Sequence, residues 1–308
     1  MLSFSYDYFW EHRTNIFMEG EKRTMLPWFG ADPVAGNIGE TKTKGWEMYG
    51  KFKKQLTKGL YFWLDASYSH SKDEIVKYED AENKPDYQKN EGFQIDQTRT
   101  RITEDLMNNW NDVYTSILGE GEDIEYVLPG DFRYVDFNSD GVINDLDIVP
   151  YGYPSRPQRN YNFSFGTEIK GVSAMVQFYG VHNISRSIRL PEFTNGNSVA
   201  RPFHADDSWT PQTAESATYP HVRYEASANY GSYWIKDASY LRLKTVELAY
   251  NMKFEALKKR GVSNIRVFFN GNNLYLWSRM LEDREGGSYE KTNYPMTISY
   301  NLGLTVNF

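Results

Sequence analysis

The sequence contains no cysteine, which excludes disulfides and thiolate metal sites. It also has no run of about 18 apolar residues, so no helix of this chain crosses a bilayer. A transmembrane barrel escapes that test, because its strands alternate and each one signals weakly. Basic excess is missing too. The formal charge is −7, the wrong sign for a protein built to grip a phosphate backbone, so nucleic acid is not an expected partner. Enzyme signatures are absent as well: His12, His70, His182, His204 and His221 are scattered, and there is no H-E-x-x-H, G-x-S-x-G, P-loop or dinucleotide fingerprint. The acid pairs Asp206-Asp207 and Glu282-Asp283 are neighbours in sequence only, whereas paired catalytic carboxylates are defined by their separation in space. The opening MLSFSYDYFW has no charged leader and no uninterrupted apolar stretch, so it reads as a strand and not as a signal peptide.

What the chain does have is aromatic residues. Tyr 24, Phe 18 and Trp 8 make up 16% of the 308 residues, although the mean hydropathy is −0.66. Many aromatics in a chain that is polar on average suit alternating strands joined by long wet loops. The clearest strand is the last, Thr297 to Phe308, where Ile298, Tyr300, Leu302, Leu304, Val306 and Phe308 share one parity and Thr297, Ser299, Asn301, Gly303, Thr305 and Asn307 the other. At about 12 residues it exceeds the roughly 9 to 11 that a tilted strand needs to cross a bilayer.

Earlier segments repeat the pattern. Leu2 to Trp10 alternates and is followed by a polar stretch, Glu11 to Lys42. Lys44 to Lys54 and Leu60 to His70 form a hairpin about Gly59, and Asn160 to Ile169 returns through Lys170-Gly171 as Val172 to Phe178. Tyr240 to Lys253 and Asn264 to Leu276 flank a basic connection at Lys258, Lys259 and Arg260; the parity change between Leu243 and Val246 predicts a bulge. Between these lie two long stretches, 71–157 and 181–233, far beyond the usual loop length. Spacing of Ile102, Leu106, Trp110 and Val113 predicts a helix within Thr98 to Leu118.

About eight strands result, with short and long connections in strict alternation. That sorting puts the short turns at one end and the long loops at the other, as in outer-membrane barrels and unlike a soluble sandwich. The faces inferred to point inward (Asn160, Asn162, Ser164, Gly166; Asn301, Gly303, Thr305) are small and neutral. They suit a wide wet lumen better than a narrow filled barrel. An open sheet in lipid is costly, so further strands are implied.

Five ordered stretches resemble the C-terminal part of the SusC/RagA family of TonB-dependent outer-membrane transporters: DFRYVDFNSDGVINDLD (Asp131 to Asp147), SWTPQTAESATYP (Ser208 to Pro220), DASYLRLKTVELAYNM (Asp237 to Met252), NIRVFFNGNNLYLWS (Asn264 to Ser278) and YPMTISYNLGLTVNF (Tyr294 to Phe308). Asp283-Arg284-Glu285 departs from the Asp-Pro-Glu that the family often has. The resemblance implies an all-β chain, the last eight or so strands of an antiparallel barrel of about 22 strands, with the plug and earlier strands elsewhere. It also implies a SusD-like surface lipoprotein as lid, import of oligosaccharides or oligopeptides driven through TonB, outer-membrane lipid around the barrel, and Phe308 as the terminal aromatic read by the assembly machinery.

One constellation points to a cation. Asp136, Asn138, Asp140, Val142, Asn144 and Asp147 occupy the liganding positions of a calcium loop, with Gly141 at its sharp turn. Asp147 replaces the usual Glu, and an Asx-rich turn without metal is the other reading. A structural Ca2+ that stiffens the large loop is the expectation. Trp28, Trp110, Trp209, Tyr233 and Trp234 are aromatic candidates for contact with a substrate or lid, with Trp209 and Trp234 singled out, while local loop packing is the ordinary role of such rings. A soluble all-β surface module with a dockerin-like calcium loop, binding glycan or a protein partner, is the alternative to the importer.

Overall fold

The structure is a computed structural model that describes residues 1–23, 30–120, 124–188, 206–222, 231–252, 261–280 and 296–307. Trp28, His204, the basic connection at 258–260, the acid pair Glu282-Asp283, the stretch 283–285 and Phe308 lie outside the described residues. In chain order the strands are β1 (Leu2–Met18), β2 (Gly36–Thr57), β3 (Leu60–Lys77), β4 (Arg99–Thr100), β5 (Thr103–Leu106), β6 (Phe132–Tyr134), β7 (Val149–Pro150), β8 (Arg159–Ile169), β9 (Val172–His182), β10 (Ser185–Ser187), β11 (Ile235–Asp237), β12 (Tyr240–Met252), β13 (Asn264–Ser278) and β14 (Ser299–Asn307). A short helix α1 spans Trp110–Thr115.

Eight of these strands make one antiparallel sheet in the order β1-β2-β3-β8-β9-β12-β13-β14. Neighbours in the sheet are neighbours in the chain once the long loops are removed, which is the topology of a meander. The sheet does not close: β1 pairs only with β2, and β14 only with β13. At the turn end the β8–β9 link is a two-residue hairpin in which Lys170 (φ 49°) and Gly171 (φ 86°) both take positive φ, as a type I′ turn requires.

Register assigns the faces. Leu2, Phe4, Tyr6, Tyr8 and Trp10 lie across from Phe52, Gly50, Met48, Trp46 and Lys44, and the same rows continue through Leu64, Ala66 and Tyr68 to Phe165, Phe163 and Tyr161. They run on through Val176 and Phe178 to Val246 and Leu243, then to Gly271 and Tyr275, with Tyr300 across from Gly271. From the turn end up to the row of Tyr8 and Trp46 no Asp or Glu stands on this face. Its side chains are left open: Leu2 is 75% exposed, Leu248 55% and Leu302 78%. No second sheet covers it among the described residues, since the remaining sheets have two strands each. A greasy face this wide has no place in water.

The opposite face is polar and satisfied from within. Tyr49 donates to Asp65 at 2.9 Å, Gln177 to Asn162 at 3.0 Å and Asn301 to Asn270 at 2.9 Å. It is less uniformly small and neutral than the sequence predicts, because Lys51 pairs with Asp65 and Arg266 with Glu247. Large rings also lie flat over glycines on the neighbouring strand: Phe9 on Gly45, Trp63 on Gly166, Phe268 on Gly303. A bare glycine lets the ring settle onto the backbone and shields the ladder beneath it.

Two expectations are corrected. β1, β2 and β3 extend well past the alternating stretches, to Met18, back to Gly36 and on to Lys77, because ladder bonds persist above the apolar band where alternation is no longer required. The helix predicted over Thr98 to Leu118 shrinks to α1. Its first half is instead β4 and β5, paired with β7 and β6. The bulge falls where parity predicts, as a register shift between Leu243 and Thr245 against both neighbours.

Gly303→Ala drives its Cβ into the tip of the Phe268 ring, so it should cost about 1–3 kcal/mol by overpacking. Phe268→Leu in the same chain should recover most of that loss, measured as the folded fraction on heat-modifiable gel migration across a urea series. A single variant as stable as wild type would refute the ring-on-glycine packing.

Candidate functional site

The two long loops fold onto one another beyond the end of the sheet. Phe132, Ile188, Tyr219 and Trp234 form a buried cluster with Leu106, Tyr134 and Tyr233 around it. Met107, Val113 and Val127 make a second, and Val181, Ile184 and Ala238 a third at the junction with β9 and β12. The first cluster joins segments of both long loops, whereas the second lies within the 71–157 stretch. Trp209 and Trp234 are only 6% and 3% exposed. Trp209 lies over Gly130, which has φ 93°, and donates Nε1–H to Asn108 Oδ1 at 3.2 Å. The rings of both tryptophans are given to the loop core.

The segment Asp136–Asp147 is closed by its own hydrogen bonds. Asp136 accepts from the backbone N–H of Asp140 (3.2 Å) and Gly141 (2.8 Å). Asn138 Oδ1 accepts from Asp140 N–H, Asp140 from Val142 N–H, and Asn144 Oδ1 from Leu146 N–H. Asp147 is fully buried, with Oδ1 taking the N–H of Phe137 at 2.7 Å and Oδ2 that of Asn144 at 2.8 Å. Gly141 sits at φ 86° with open space around it, a conformation glycine adopts without cost. Among the described residues no three carboxylate or imidazole groups converge. Each carboxylate oxygen of Asp136 and Asp147 accepts one N–H and keeps a second lone pair. The donor set is all oxygen, the chemistry a hard cation takes.

The same segment is docked firmly. Tyr87 donates its hydroxyl to the Leu146 carbonyl at 2.8 Å and meets Phe137 edge-on at 4.9 Å. Gln88 Nε2 reaches the carbonyls of Asp145 and Ile148, and Arg101 Nε that of Asn144. Arg99 fastens the strap carrying Tyr87 by donating to the carbonyls of Tyr87 and Lys89 while lying over the Phe93 ring. Its partial burial lowers its pKa.

Between β5, the 214–218 turn and β11 lies a cavity of about 530 Å³, lined by Leu106, Phe132, Tyr151, Glu215, Tyr233 and Lys236 among others. The Lys236 ammonium stands 4.0 Å over the Tyr233 ring, and burial pushes its pKa down. Burial pushes the Tyr233 phenol up, and its hydroxyl donates to the Thr218 carbonyl. The sequence marks Tyr233 only as a loop aromatic and gives no sign of Lys236. Trp110, by contrast, is displayed: it is 51% exposed on α1, stacked at 6.0 Å on Tyr114, itself 67% exposed. Tyr114 carries no signal of its own beyond its place four residues on, one helical turn from Trp110.

One wide sheet with a greasy outer face and a polar inner face, its long loops gathered at one end, is part of the wall of a large antiparallel β-barrel. No protein-family model matches the chain. It is 32% identical over 202 residues to a protein named TonB-dependent receptor P26 of Formosa agariphila, covering 58% of this chain and 20% of that one. It is 22% identical over 341 residues to TonB-dependent receptor P3 of the same organism, covering 100% of this chain and 32% of that one. The chain thus spans a third or less of these relatives. Its fold matches the RagAB peptide importer in the open-open state with TM-score 0.75 at 18% identity, covering 100% of this chain and 33% of the other, and the RagAB peptide transporter with TM-score 0.74. These relatives and this fold support the resemblance to SusC/RagA-type TonB-dependent receptors that the sequence motifs carry.

Proposed function

We propose that the receptor to which this chain contributes imports oligosaccharides or oligopeptides across the bacterial outer membrane, under a SusD-like lipoprotein lid and with energy delivered through TonB. The observation that carries this reading is the outward face, free of carboxylates through its apolar band and left uncovered, on a sheet whose other face is wet. Hydrocarbon tolerates such a surface only when every ladder bond is made within the wall. Likeness to TonB-dependent receptors and to the fold of a peptide importer supports the direction of transport. No covalent step is needed; the work is selection by the loops and passage through the lumen. Trp110 and Tyr114 are the exposed rings placed to meet a substrate or the lid.

The test is uptake. A bacterium lacking the receptor should fail to grow when a defined oligopeptide or oligosaccharide is the limiting nutrient, and the full-length receptor should restore growth. Trp110→Ala with Tyr114→Ala should slow uptake about two- to tenfold, the worth of one aromatic contact. Unaltered growth of the receptor-less strain on both nutrient classes would overturn the importer.

We propose further that the segment Asp136–Asp147 takes a Ca2+ ion through Asp136, Asn138, Asp140, Val142, Asn144 and Asp147, the positions that spacing assigns. Calcium added back to chelator-stripped receptor should raise its melting temperature, and Asp136→Ala with Asp140→Ala should abolish the rise. The same calcium dependence in that variant would remove the site.

Phe308 is proposed as the aromatic that the barrel-assembly machinery recognises. Deleting it should cut the amount of receptor in the outer membrane several-fold, measured by membrane fractionation, without changing its synthesis. Undiminished insertion would remove that role from Phe308.

A further inference from the structure

The outward face changes character abruptly at the loop end. Its last apolar rows are Tyr6 across from Met48 and Tyr68, then Tyr8 across from Trp46 and His70. The next row is Trp10, Lys44 and Lys72, and the one above is His12, Lys42 and Glu74. Three lysines on adjacent strands thus stand directly over an aromatic belt, around a groove of about 530 Å³ floored by Tyr8, Trp46 and His70. Lys42, Lys44 and Lys72 make no ion pair among the described residues, although carboxylates are close by: Glu40 is taken by His12 at 3.2 Å, and Asp73 accepts from Gln94 and from the backbone of Ile95. Asp73 and Glu74 both line the groove beside the three lysines, and three cations against two carboxylates leave the patch with a net positive charge.

Clustered ammonium groups repel one another, and a soluble counter-ion is a weak remedy at physiological salt. Rings of Trp and Tyr settle at the headgroup level of a bilayer, with cations just beyond them. This placement rests on the importer reading, in which the long loops meet the lid on the outer side of the membrane. We propose that Lys42, Lys44 and Lys72 bind the phosphate of a phosphorylated lipid headgroup in the leaflet on the loop side, its acyl chains lying down the apolar rows of β1 to β3. Lysine suits this task as a compact point charge with three donors that need no fixed approach. The apolar rows below the groove favour a lipid over a free phosphate ion, which would use the lysines and leave the belt idle.

The experiment uses full-length receptor purified in detergent and stripped of lipid. Phosphorylated glycolipid, the same lipid dephosphorylated, and inorganic phosphate are each titrated, with bound lipid counted by native mass spectrometry and thermal stability read in parallel. Wild type should retain the phosphorylated lipid and gain stability from it. At about fivefold per lysine, Lys42→Gln with Lys44→Gln and Lys72→Gln should weaken retention on the order of 100-fold. Lys54→Gln with Lys58→Gln, at the turn end, should leave it unchanged. Equal retention by the triple variant overturns the site, and inorganic phosphate matching the lipid overturns the lipid as its occupant. An equal loss in the turn-end variant also overturns the site, because retention would then follow overall charge and not this groove. Nutrient uptake and membrane insertion measured on the same strains separate failure of this site from failure of the importer reading, since both should survive in the triple variant.

Discussion

The constraint on which everything else depends is that backbone amides in hydrocarbon must find partners inside the protein. It fixes the antiparallel ladder, and the ladder fixes the faces, because a slip of one residue would send every Leu and Phe of a strand into the lumen. Register here holds across the full width of the sheet. Where it shifts inside the apolar band, between Leu243 and Thr245, it shifts against both neighbours at once. Alternation therefore resumes on the same side after the bulge.

The inner face obeys a different rule. It borders water, so nothing prevents charge there, and Arg266 with Glu247 or Lys51 with Asp65 contribute little to stability in such a setting. Their use is to keep the wall polar without leaving cations unopposed. Shape is set by the rings on glycines. An aromatic that lies flat over a neighbouring backbone takes little space from the lumen, yet it excludes water from the hydrogen bonds beneath.

Much of this was legible because two periods, residue alternation and loop length, are written directly in the chain. Leu2 to Trp10 and Ile298 to Val306 show their faces without help. Strand ends were not legible. Beyond Trp10 the run His12, Arg13, Thr14, Asn15 has no apolar parity, and β1 nonetheless continues because Gly36 to Lys42 is there to pair with it. The helix expected near Thr98 failed for a similar reason: Leu106 meets Phe132 across a two-stranded ladder, a contact that local spacing does not encode. For Trp209 and Trp234 the sequence leaves display and loop packing both open, and only the fold reveals Gly130 and the Phe132 cluster that bury them.

The loop unit explains how so much irregular chain stays ordered above a thin wall. Stretches of this length carry a large entropic cost if each is fixed separately, but the cost of closing a loop grows only slowly with its length. What decides order is whether enough apolar surface is shared. Segments near 106, 132, 188, 219 and 234 supply one core, and Arg99, Tyr87 and Gln88 strap the acidic turn to the same body through backbone carbonyls. A carbonyl anchor is indifferent to which side chain sits at the anchored position. The displayed residues of the loops are thus able to vary while the frame that presents them is retained, and the outer surface of the loops is decoupled from the integrity of the wall below.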